Sequence, residues 1–411
     1  MDDSSSAGPG RRAFLTGSAG LAAGLAIVPG VALAPPAAAH PPRPTSSYPL
    51  VRQGTWTRGA NLRDRSGRLQ ARQEHAAAVL NNFVYLIGGF VPMQPPPTPT
   101  EDNPEPFPFV GTGEVLVYTP RGQAAAGPAR PGEWVSLPAQ SSFPHESMHH
   151  INAVAHRGEI WAFGGHAGPF EPTPRTYVFT PRSATDPSGT WRQVDAPLPQ
   201  PRSAGAAVSV GTRIYLLGGV VPYANSPDPV NQSIRTTSSV FYLDTTQTPL
   251  RWREAAPMLN RREHFNAVFA EGRIWVFQGR NETDTRMRQV ESLSVGAPRA
   301  RWRREQDAPV GASANVLGLI GRRVYSFGGE FIASNITGTV IASQVFDLGT
   351  RRWSRLRTTV RTTPLDASGA DSKHGTYGAV IREEGRPKLL APGGAATAWF
   401  DPMSKVHVFT P

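Results

Sequence analysis

The sequence predicts an all-β fold built from six copies of one four-stranded unit. Three observations predict it: an apolar run ending in paired glycines recurs along the chain, other apolar runs flank each copy, and a tryptophan follows at similar spacing. Such repetition indicates an architecture assembled from equivalent units. The chain also has 41 glycines and 41 prolines among 411 residues, so turns are frequent, as many short strands require.

The runs before the paired glycines are the best-defined elements. Each is rich in β-branched and aromatic residues and is bounded by glycine, which is typical of a buried strand. With their glycines, the six copies are residues 84–89, 160–165, 214–219, 274–279, 324–329 and 389–394. The fourth copy has Gln278 in place of the first glycine and the sixth is degenerate. Neither departure threatens the predicted fold.

Two further strands flank each of these runs. The preceding strands are predicted at residues 76–80, 151–155, 205–210, 265–270, 314–320 and 377–381. The following strands are predicted at residues 115–118, 177–179, 240–243, 290–293, 345–348 and 406–409. A tryptophan then opens a fourth strand after five of the six copies: Trp134, Trp191, Trp252, Trp302 and Trp353.

The sixth tryptophan lies at the other end of the repeat region. Trp56 and the residues after it parallel the segment that begins at Trp134, and the sequence ends at Pro411 with a third strand. We therefore expect the N-terminal strand around Trp56 to complete the last sheet. Such closure leaves no sheet edge exposed to aggregation.

This pattern resembles the Kelch repeat, whose unit is a four-stranded propeller blade. The resemblance covers residues 56–411 and rests on the paired glycines, the aromatic residue early in the second strand and the spaced tryptophan. It implies a six-bladed Kelch-type β-propeller over residues 55–411, its last blade closed around Trp56. Because glycine has no Cβ, we expect a tryptophan of the same or the next blade to approach the glycine backbone closely.

The N-terminal segment is predicted to be an export signal. The sequence around Arg11 and Arg12 resembles the twin-arginine consensus, and residues 21–34 form an apolar run before a cleavage site near Ala39. That run is short, rich in glycine and broken by Pro29, which favours a signal peptide over a membrane anchor. We assign residues 1–39 to the signal and 40–54 to a proline-rich linker. The mature chain is expected to be bacterial, secreted or associated with the cell wall, and without a membrane span.

Composition excludes several chemistries. The chain has no cysteine, so disulfides, thiolate metal sites and the Cys–Tyr copper site of Kelch-type galactose oxidases cannot form. The net charge is +11, and nearly all of the positive charge is arginine, which favours anionic ligands. The arginines are scattered along the repeats without a nucleic-acid motif, so no nucleic-acid partner is expected.

Candidate site residues precede the first strand of each repeat, where the resemblance puts them at the mouth of the central channel. The candidate ligand-binding residues are Glu74, His75, His149, His150, Arg202, Arg262, Glu263, His264, Lys373 and His374. His75, His150 and His264 are predicted to occupy one equivalent position in three blades. They could bond loop backbone, bind a metal or act as general acids and bases. We assign no metal ligand, cofactor or catalytic residue.

These features favour an exported propeller that binds a carbohydrate ligand or a protein partner on its long-loop face. Loops at residues 91–113, 220–239 and 331–342 are long enough to form such a face. The alternative is a carbohydrate-active enzyme resembling the sialic-acid mutarotases or epimerases, because the ring of histidine, glutamate and arginine at the channel mouth, the basic charge and the predicted export suit an acidic sugar. Glu282 and Arg286 also resemble loop residues of these exported propellers. A third hypothesis is a metalloprotein that is loaded before export.

Overall fold

The computed structural model describes residues 48–100, 107–145, 148–168, 171–223, 234–297, 299–333, 336–360, 372–395 and 402–411. The signal peptide predicted at residues 1–39 therefore lies outside the described residues. The strands belong to one compact unit, which comprises residues 48–92 and 109–411. Among the described residues, no helix is long and apolar enough to cross a membrane.

The strands follow the predicted repeats in chain order. The N-terminal strand is β1 (Leu50–Arg58), and the first repeat has β2 (Ala76–Leu80), β3 (Phe83–Ile87), β4 (Phe90–Pro92), β5 (Phe109–Gly111), β6 (Leu116–Tyr118) and β7 (Trp134–Ser136). The second has β8 (Met148–His149), β9 (Asn152–His156), β10 (Glu159–Phe163), β11 (His166–Ala167), β12 (Glu171–Pro172), β13 (Thr176–Pro181) and β14 (Gly189–Val194). The third has β15 (Ala206–Val210), β16 (Arg213–Leu217), β17 (Val220–Pro222), β18 (Ile234–Thr236), β19 (Val240–Asp244) and β20 (Trp252–Ala255).

The remaining repeats are built in the same way. The fourth has β21 (Asn266–Ala270), β22 (Arg273–Phe277), β23 (Val290–Ser294) and β24 (Trp302–Arg304). The fifth has β25 (Val316–Ile320), β26 (Arg323–Phe327), β27 (Glu330–Ala333), β28 (Ile336–Thr339), β29 (Ser343–Asp347) and β30 (Arg352–Val360), and the sixth has β31 (Ala379–Glu383), β32 (Arg386–Pro392) and β33 (Val406–Thr410). The described residues contain one 3-10 turn (Ala139–Ser141) and no α-helix, so the all-β prediction is confirmed for them.

Four repeats form separate four-stranded antiparallel sheets. Their strand orders are β2-β3-β6-β7, β9-β10-β13-β14, β15-β16-β19-β20 and β21-β22-β23-β24. The fifth and sixth repeats share an eight-stranded sheet of order β25-β26-β29-β30-β1-β33-β32-β31. All six tryptophans of the predicted pattern lie in the strand expected for them.

The N-terminal strand joins the fifth and sixth repeats. In β1, Thr55–Arg58 pair antiparallel with β33, as the sequence predicts, and Trp56 lies opposite Phe409. The strand begins at Leu50, so residues 50–54, which we assigned to the linker, lie in it, and Leu50 pairs with Arg355 of β30 in parallel. The register shifts between Arg52 and Thr55. Gly54, in this interval, has a φ of +82°, and an added Cβ would lie 2.2 Å from the Phe409 ring. Only glycine fits this bend.

Hydrophobic cores lie between successive repeats. One core joins repeats one and two, and others join two to three, three to four, four to five, five to six and six to one. The second strands are largely buried: β3 is buried throughout, and the other five begin with one to three less buried residues. In the first repeat the first strand alternates, with Ala76 and Ala78 in the core shared with the second repeat and Ala77 and Val79 half-buried against the core shared with the sixth. Residues of the first strands also line a shared cavity of about 330 Å³.

Six residues just before the first strands form a closed cycle of backbone hydrogen bonds. We call these residues the axial ring: Glu74, His150, Ala204, His264, Ala314 and Gly375. The amide of each ring residue donates to the carbonyl of the ring residue in the preceding repeat, at 2.7–3.1 Å. The amide of Glu74 donates to the carbonyl of Gly375 in the last repeat, which closes the cycle. All six have positive φ, between 47° and 63°. This conformation is costly for residues other than glycine, so the surrounding hydrogen bonds must hold it.

A second cycle of backbone hydrogen bonds explains why paired glycines follow the second strands. The amide of the second glycine donates to a carbonyl two residues before the axial ring of the next repeat, at 2.8–2.9 Å. A Cβ on the first glycine would collide with the same carbonyl, as at Gly164, where it would lie 1.9 Å from the oxygen of Arg202. The expectation that a tryptophan approaches these glycines is therefore wrong. It is the backbone of the next repeat that approaches them.

Candidate functional site

Three side chains of the axial ring converge. Glu74 Oε2 lies 3.3 Å from His150 Nε2 and 3.4 Å from His264 Nε2, and the three donor atoms all lie within 4.8 Å of one another. The imidazole rings of His150 and His264 have centroids 4.8 Å apart. The three residues are buried, with 3–8% of their surface exposed. The other three ring residues are alanine or glycine and bring no polar side chain.

The hydrogen bonds of His149 assign the tautomer of His150. His149 Nε2 lies 3.0 Å from the carbonyl oxygen of Gly168, so this nitrogen is a donor, and Nδ1 is an acceptor whenever the His149 ring is neutral. His150 Nδ1 lies within hydrogen-bond distance of that Nδ1 and donates to it in this state. The Nε2 lone pair of His150 therefore faces Glu74.

A chain of charged groups extends from the axial ring. His264 Nδ1 donates to Glu263 Oε2 at 2.8 Å, and Arg280 Nε donates to Glu263 Oε1 at 2.7 Å. The same guanidinium donates through Nη1 to Glu330 Oε1. Glu330 Oε2 lies 2.9 Å from His374 Nδ1. The chain thus joins the fourth, fifth and sixth repeats beside Glu74.

Burial and charge separate the pKa values of the two imidazoles. Burial, reinforced by His149 and His264, holds the pKa of His150 well below its usual value. Burial and Arg280 oppose protonation of His264, but the carboxylates of Glu263 and Glu74 outweigh them and raise its pKa to about 9. Burial also opposes ionisation of Glu263, yet Arg280 and His264 lower its pKa to about 2.

Six of the predicted site residues lie in this cluster: Glu74, His149, His150, Glu263, His264 and His374. His75 does not share the position of His150 and His264, because the ring residue of its repeat is Glu74, which His75 directly follows. Its imidazole is fully buried 3.3 Å from Thr376 Oγ1, and burial lowers its pKa to about 3. The prediction that three histidines occupy one equivalent position is therefore wrong, because His75 lies one residue past that position.

The predicted site residues Arg202, Arg262 and Lys373 are completely buried and donate to backbone carbonyls of their own repeats. Arg202 Nη1 donates to Ser239 O at 3.2 Å, and Lys373 Nζ donates to Ala391 O at 2.7 Å. Arg262 Nη1 donates to Gln278 O at 2.7 Å. These contacts favour a structural role, because they satisfy carbonyls that burial removes from water.

Sequence reasoning missed Arg280 and Glu330. Arg280 directly follows Gln278-Gly279, and Glu330 directly follows Gly328-Gly329, after the second strand of each repeat. Each forms a β-bridge with the residue just before the axial ring of its own repeat. His166 occupies the corresponding position in the second repeat, and its Nε2 lies 2.8 Å from Ser203 Oγ. Comparing the residue after the glycine across the repeats would have identified this position.

Glu282 and Arg286 are engaged in contacts between loops. Glu282 accepts hydrogen bonds from the amide of Thr236 at 2.6 Å and from its hydroxyl at 2.7 Å. The Arg286 guanidinium stacks 4.6 Å from the ring centre of Phe331. The two residues tie neighbouring repeats together, and their contacts do not favour the mutarotase alternative.

Comparison with known proteins agrees with the repeat pattern. No family model matches the chain. The chain is 24% identical over 375 residues to the Kelch-like protein terF of Aspergillus terreus, and the match covers 90% of this chain and 70% of the fungal protein. This similarity, which covers 90% of the chain, supports a Kelch-repeat family for it.

Proposed function

We propose that the chain is an exported, six-bladed Kelch-type β-propeller that binds a partner protein on the face bearing its axial ring. Support for six blades comes from the two closed hydrogen-bond cycles and from hydrophobic cores that join each repeat to the next. Under this proposal each repeat is one blade, and β1 closes the last.

Additional β-structure extends the sheets at the axial-ring end. In the part of the chain that the structure describes, four repeats insert a small antiparallel pairing between their second and third strands: β4–β5, β11–β12, β17–β18 and β27–β28. Each begins directly after a pair of glycines, and its first residue pairs with the residue just before the axial ring. The insertions therefore lie at one end of the sheets, where they can vary without changing the cores.

One contact on this face carries the proposal. Tyr223 directly follows β17 and is 37% exposed. The guanidinium of Arg235, in β18, lies 4.1 Å from the centre of the Tyr223 ring. Val110 in β5, on the insertion of the first repeat, is 41% exposed. Tyrosine and arginine dominate the energetics of protein interfaces, because their large, partly rigid side chains combine apolar area with hydrogen bonding. A pre-stacked pair loses little entropy on binding.

Affinity capture with matched variants tests the proposal. The mature chain is immobilised and exposed to secreted and wall proteins of its source organism. The Y223A/R235A double variant is expected to weaken retention of the partner at least about tenfold, as loss of an interface anchor does. The control is F269A, because Phe269 is also 37% exposed but lies in β21, outside the insertions. Equal loss in both variants, or no specific retention by the parent chain, would contradict the proposal.

Export is tested separately at the twin-arginine pair. Replacing Arg11 and Arg12 by lysine should retain the precursor inside a host that has the twin-arginine pathway. The matched control, R43K, alters an arginine in the predicted linker and should leave export unchanged. Mass spectrometry of the exported chain is expected to find an N-terminus at His40. Export of the double variant at the parental level would exclude this route.

A further inference from the structure

We propose that Glu74, His150 and His264 bind one divalent transition-metal ion at the centre of the axial ring. The proposal goes beyond partner binding and does not depend on it. It rests on the geometry of three donor atoms, on a buried carboxylate oxygen without a hydrogen bond, and on the charge around it.

The donor atoms have the spacing of metal ligands. Zinc–nitrogen and zinc–oxygen bonds are about 2.0–2.2 Å, so two ligands at tetrahedral or right angles lie about 3.0–3.5 Å apart. The distances from Glu74 Oε2 to His150 Nε2 and His264 Nε2 are 3.3 and 3.4 Å. Small side-chain rotations suffice to place all three atoms around one ion, because the atoms lie within 4.8 Å of one another.

Glu74 Oε2 makes no hydrogen bond to any described residue, although it is buried. Its two close contacts are His264 Nε2 and His150 Nε2, and the lone pair of His150 Nε2 faces it when neutral His149 accepts from His150 Nδ1. Two acceptor atoms that face each other in a buried site repel unless a cation lies between them. Buried polar groups without partners are rare in native proteins, and a bound ion is one of the few explanations.

The surrounding charge also favours a cation. The cluster contains the carboxylates of Glu74, Glu263 and Glu330, all buried, and the guanidinium of Arg280. With both coordinating imidazoles neutral, as metal binding requires, the three carboxylates exceed the guanidinium by two negative charges; without the metal, a proton on His264 offsets one of them. A buried excess of this kind is costly, although the protein as a whole has a net charge of +11. A divalent ion would neutralise it.

Neighbouring groups orient both imidazoles for coordination through Nε2. His149 fixes Nδ1 of His150, and Glu263 accepts from Nδ1 of His264 at 2.8 Å. A hydrogen bond at the second ring nitrogen is a regular feature of metal-binding histidines. Hydrogen-bonded imidazoles can serve structural as well as metal-binding roles. This observation therefore supports the proposal only together with the donor spacing, the carboxylate oxygen without a hydrogen bond and the surrounding charge.

The ligand set indicates the kind of ion. Two imidazoles and one carboxylate suit zinc, iron, cobalt or nickel, whereas magnesium and calcium prefer oxygen ligands throughout. The remaining ring residues, Ala204, Ala314 and Gly375, bring no ligand atom on their side chains. Coordination positions would therefore remain for solvent or for an external ligand.

Metal titration of the untagged mature chain tests the site. The chain is treated with a chelator, dialysed, and titrated with Zn²⁺ by calorimetry and with Co²⁺ by visible absorption. We expect one equivalent of each metal to bind, with Co²⁺ absorption bands typical of mixed nitrogen and oxygen ligands. E74Q, H150Q and H264Q should each weaken binding by about 100-fold or more, beyond the 10–100-fold cost of losing an outer partner. Zn²⁺ should also raise the Tm of the parent chain but not that of these variants.

H75Q is the matched control, because His75 adjoins the ring but does not face the ligand set. It should bind both metals as the parent chain does. H156Q is a second control, since His156 contacts Ser209 and Thr245 at 2.8 Å and lies outside the cluster. Circular dichroism and a cooperative thermal transition establish that each variant is folded. Absence of stoichiometric binding in the parent chain, binding that survives in the folded E74Q/H150Q/H264Q variant, or an equal loss in folded H75Q would each overturn the proposal.

Discussion

Trp56 and Phe409 lie opposite each other in paired strands, with ring centroids 5.3 Å apart, although they come from the two ends of the repeat region. Trp56 also meets Phe327 of the fifth repeat edge-on at 4.7 Å. It is fully buried, with 1% of its surface exposed. One indole thus packs against the fifth and sixth repeats at once, which makes β1 a structural component of both.

Replacing Trp56 should therefore destabilise the protein strongly. W56A is expected to cost about 3–5 kcal/mol, the usual cost of deleting a large buried aromatic side chain. W56F should cost less, because it retains a ring against Phe409. Chemical unfolding measures both values. A cost below about 1 kcal/mol for W56A would show that the indole does not stabilise this junction.

Removing the whole strand should expose sheet edges. A chain that starts at Gly59 lacks β1 and leaves β30 and β33 without their shared neighbour. We expect it to aggregate, because unpaired edges associate. A chain that starts at Tyr48 should remain a discrete species. Gel filtration compares the two, and addition of a peptide of residues 48–58 should restore a discrete species in the shorter chain.

The glycine that contacts the next repeat should tolerate alanine poorly. G164A places a Cβ 1.9 Å from the carbonyl oxygen of Arg202, at φ +59°. G211A is the matched control, because its φ is +60° but no atom lies within 4 Å of the added Cβ. Both substitutions place an alanine in the left-handed backbone conformation, which costs roughly 1–2 kcal/mol. Only G164A should also lose inter-repeat packing, so its lower Tm relative to G211A measures that contact.

The buried pair Arg262–Glu291 should be necessary for stability. Both side chains are fully buried, and Glu291 also accepts from the amide of Leu259 at 2.7 Å. R262M should cost about 3–5 kcal/mol, because it leaves Glu291 charged and unpaired. The R262M/E291Q double variant should recover part of this loss. If R262M instead weakens partner or metal binding in a stable protein, Arg262 belongs to the binding site that the sequence predicts.

Glu383 should make stability depend on acid pH. Burial opposes its ionisation, but hydrogen bonds from the Arg121 amide, Lys388 and Tyr118 outweigh burial and lower its pKa. A carboxyl group with a lowered folded pKa stabilises the protein above its unfolded pKa of about 4.3, and this stabilisation is lost as pH falls through the folded value. Urea unfolding from about pH 7 to about pH 3 should show a shallower decline in E383Q than in the parent chain.

The neighbouring Glu384 offers the matched control for that measurement. Its side chain is 59% exposed and contacts Arg121 at the surface, where solvent weakens the ion pair. E384Q should follow the pH profile of the parent chain. A parental profile in E383Q would show that other groups cause the acid sensitivity.

Much of the fold could be predicted from local patterns. The strand runs, the paired glycines and the tryptophans recur visibly, and the observed strands follow them even in the degenerate sixth repeat. Pairing of β1 with β33 was also predictable, because one repeat lacked a fourth strand and one tryptophan remained unassigned. The site was predictable only as a region, since all repeats place polar residues before their first strand.

The sequence alone determined the all-β class and the repeating units, since alternation and glycine spacing are properties of each segment by itself. Only the tertiary structure decided which side chain of each repeat faces the axis. A shift of one residue reverses the direction of a side chain in an extended chain, and the left-handed backbone at Glu74, His150 and His264 leaves no mark on residue type. For the same reason His75 and Arg262 resembled site residues in the sequence, whereas Arg280 and Glu330 became recognisable only when the repeats were packed around a common centre.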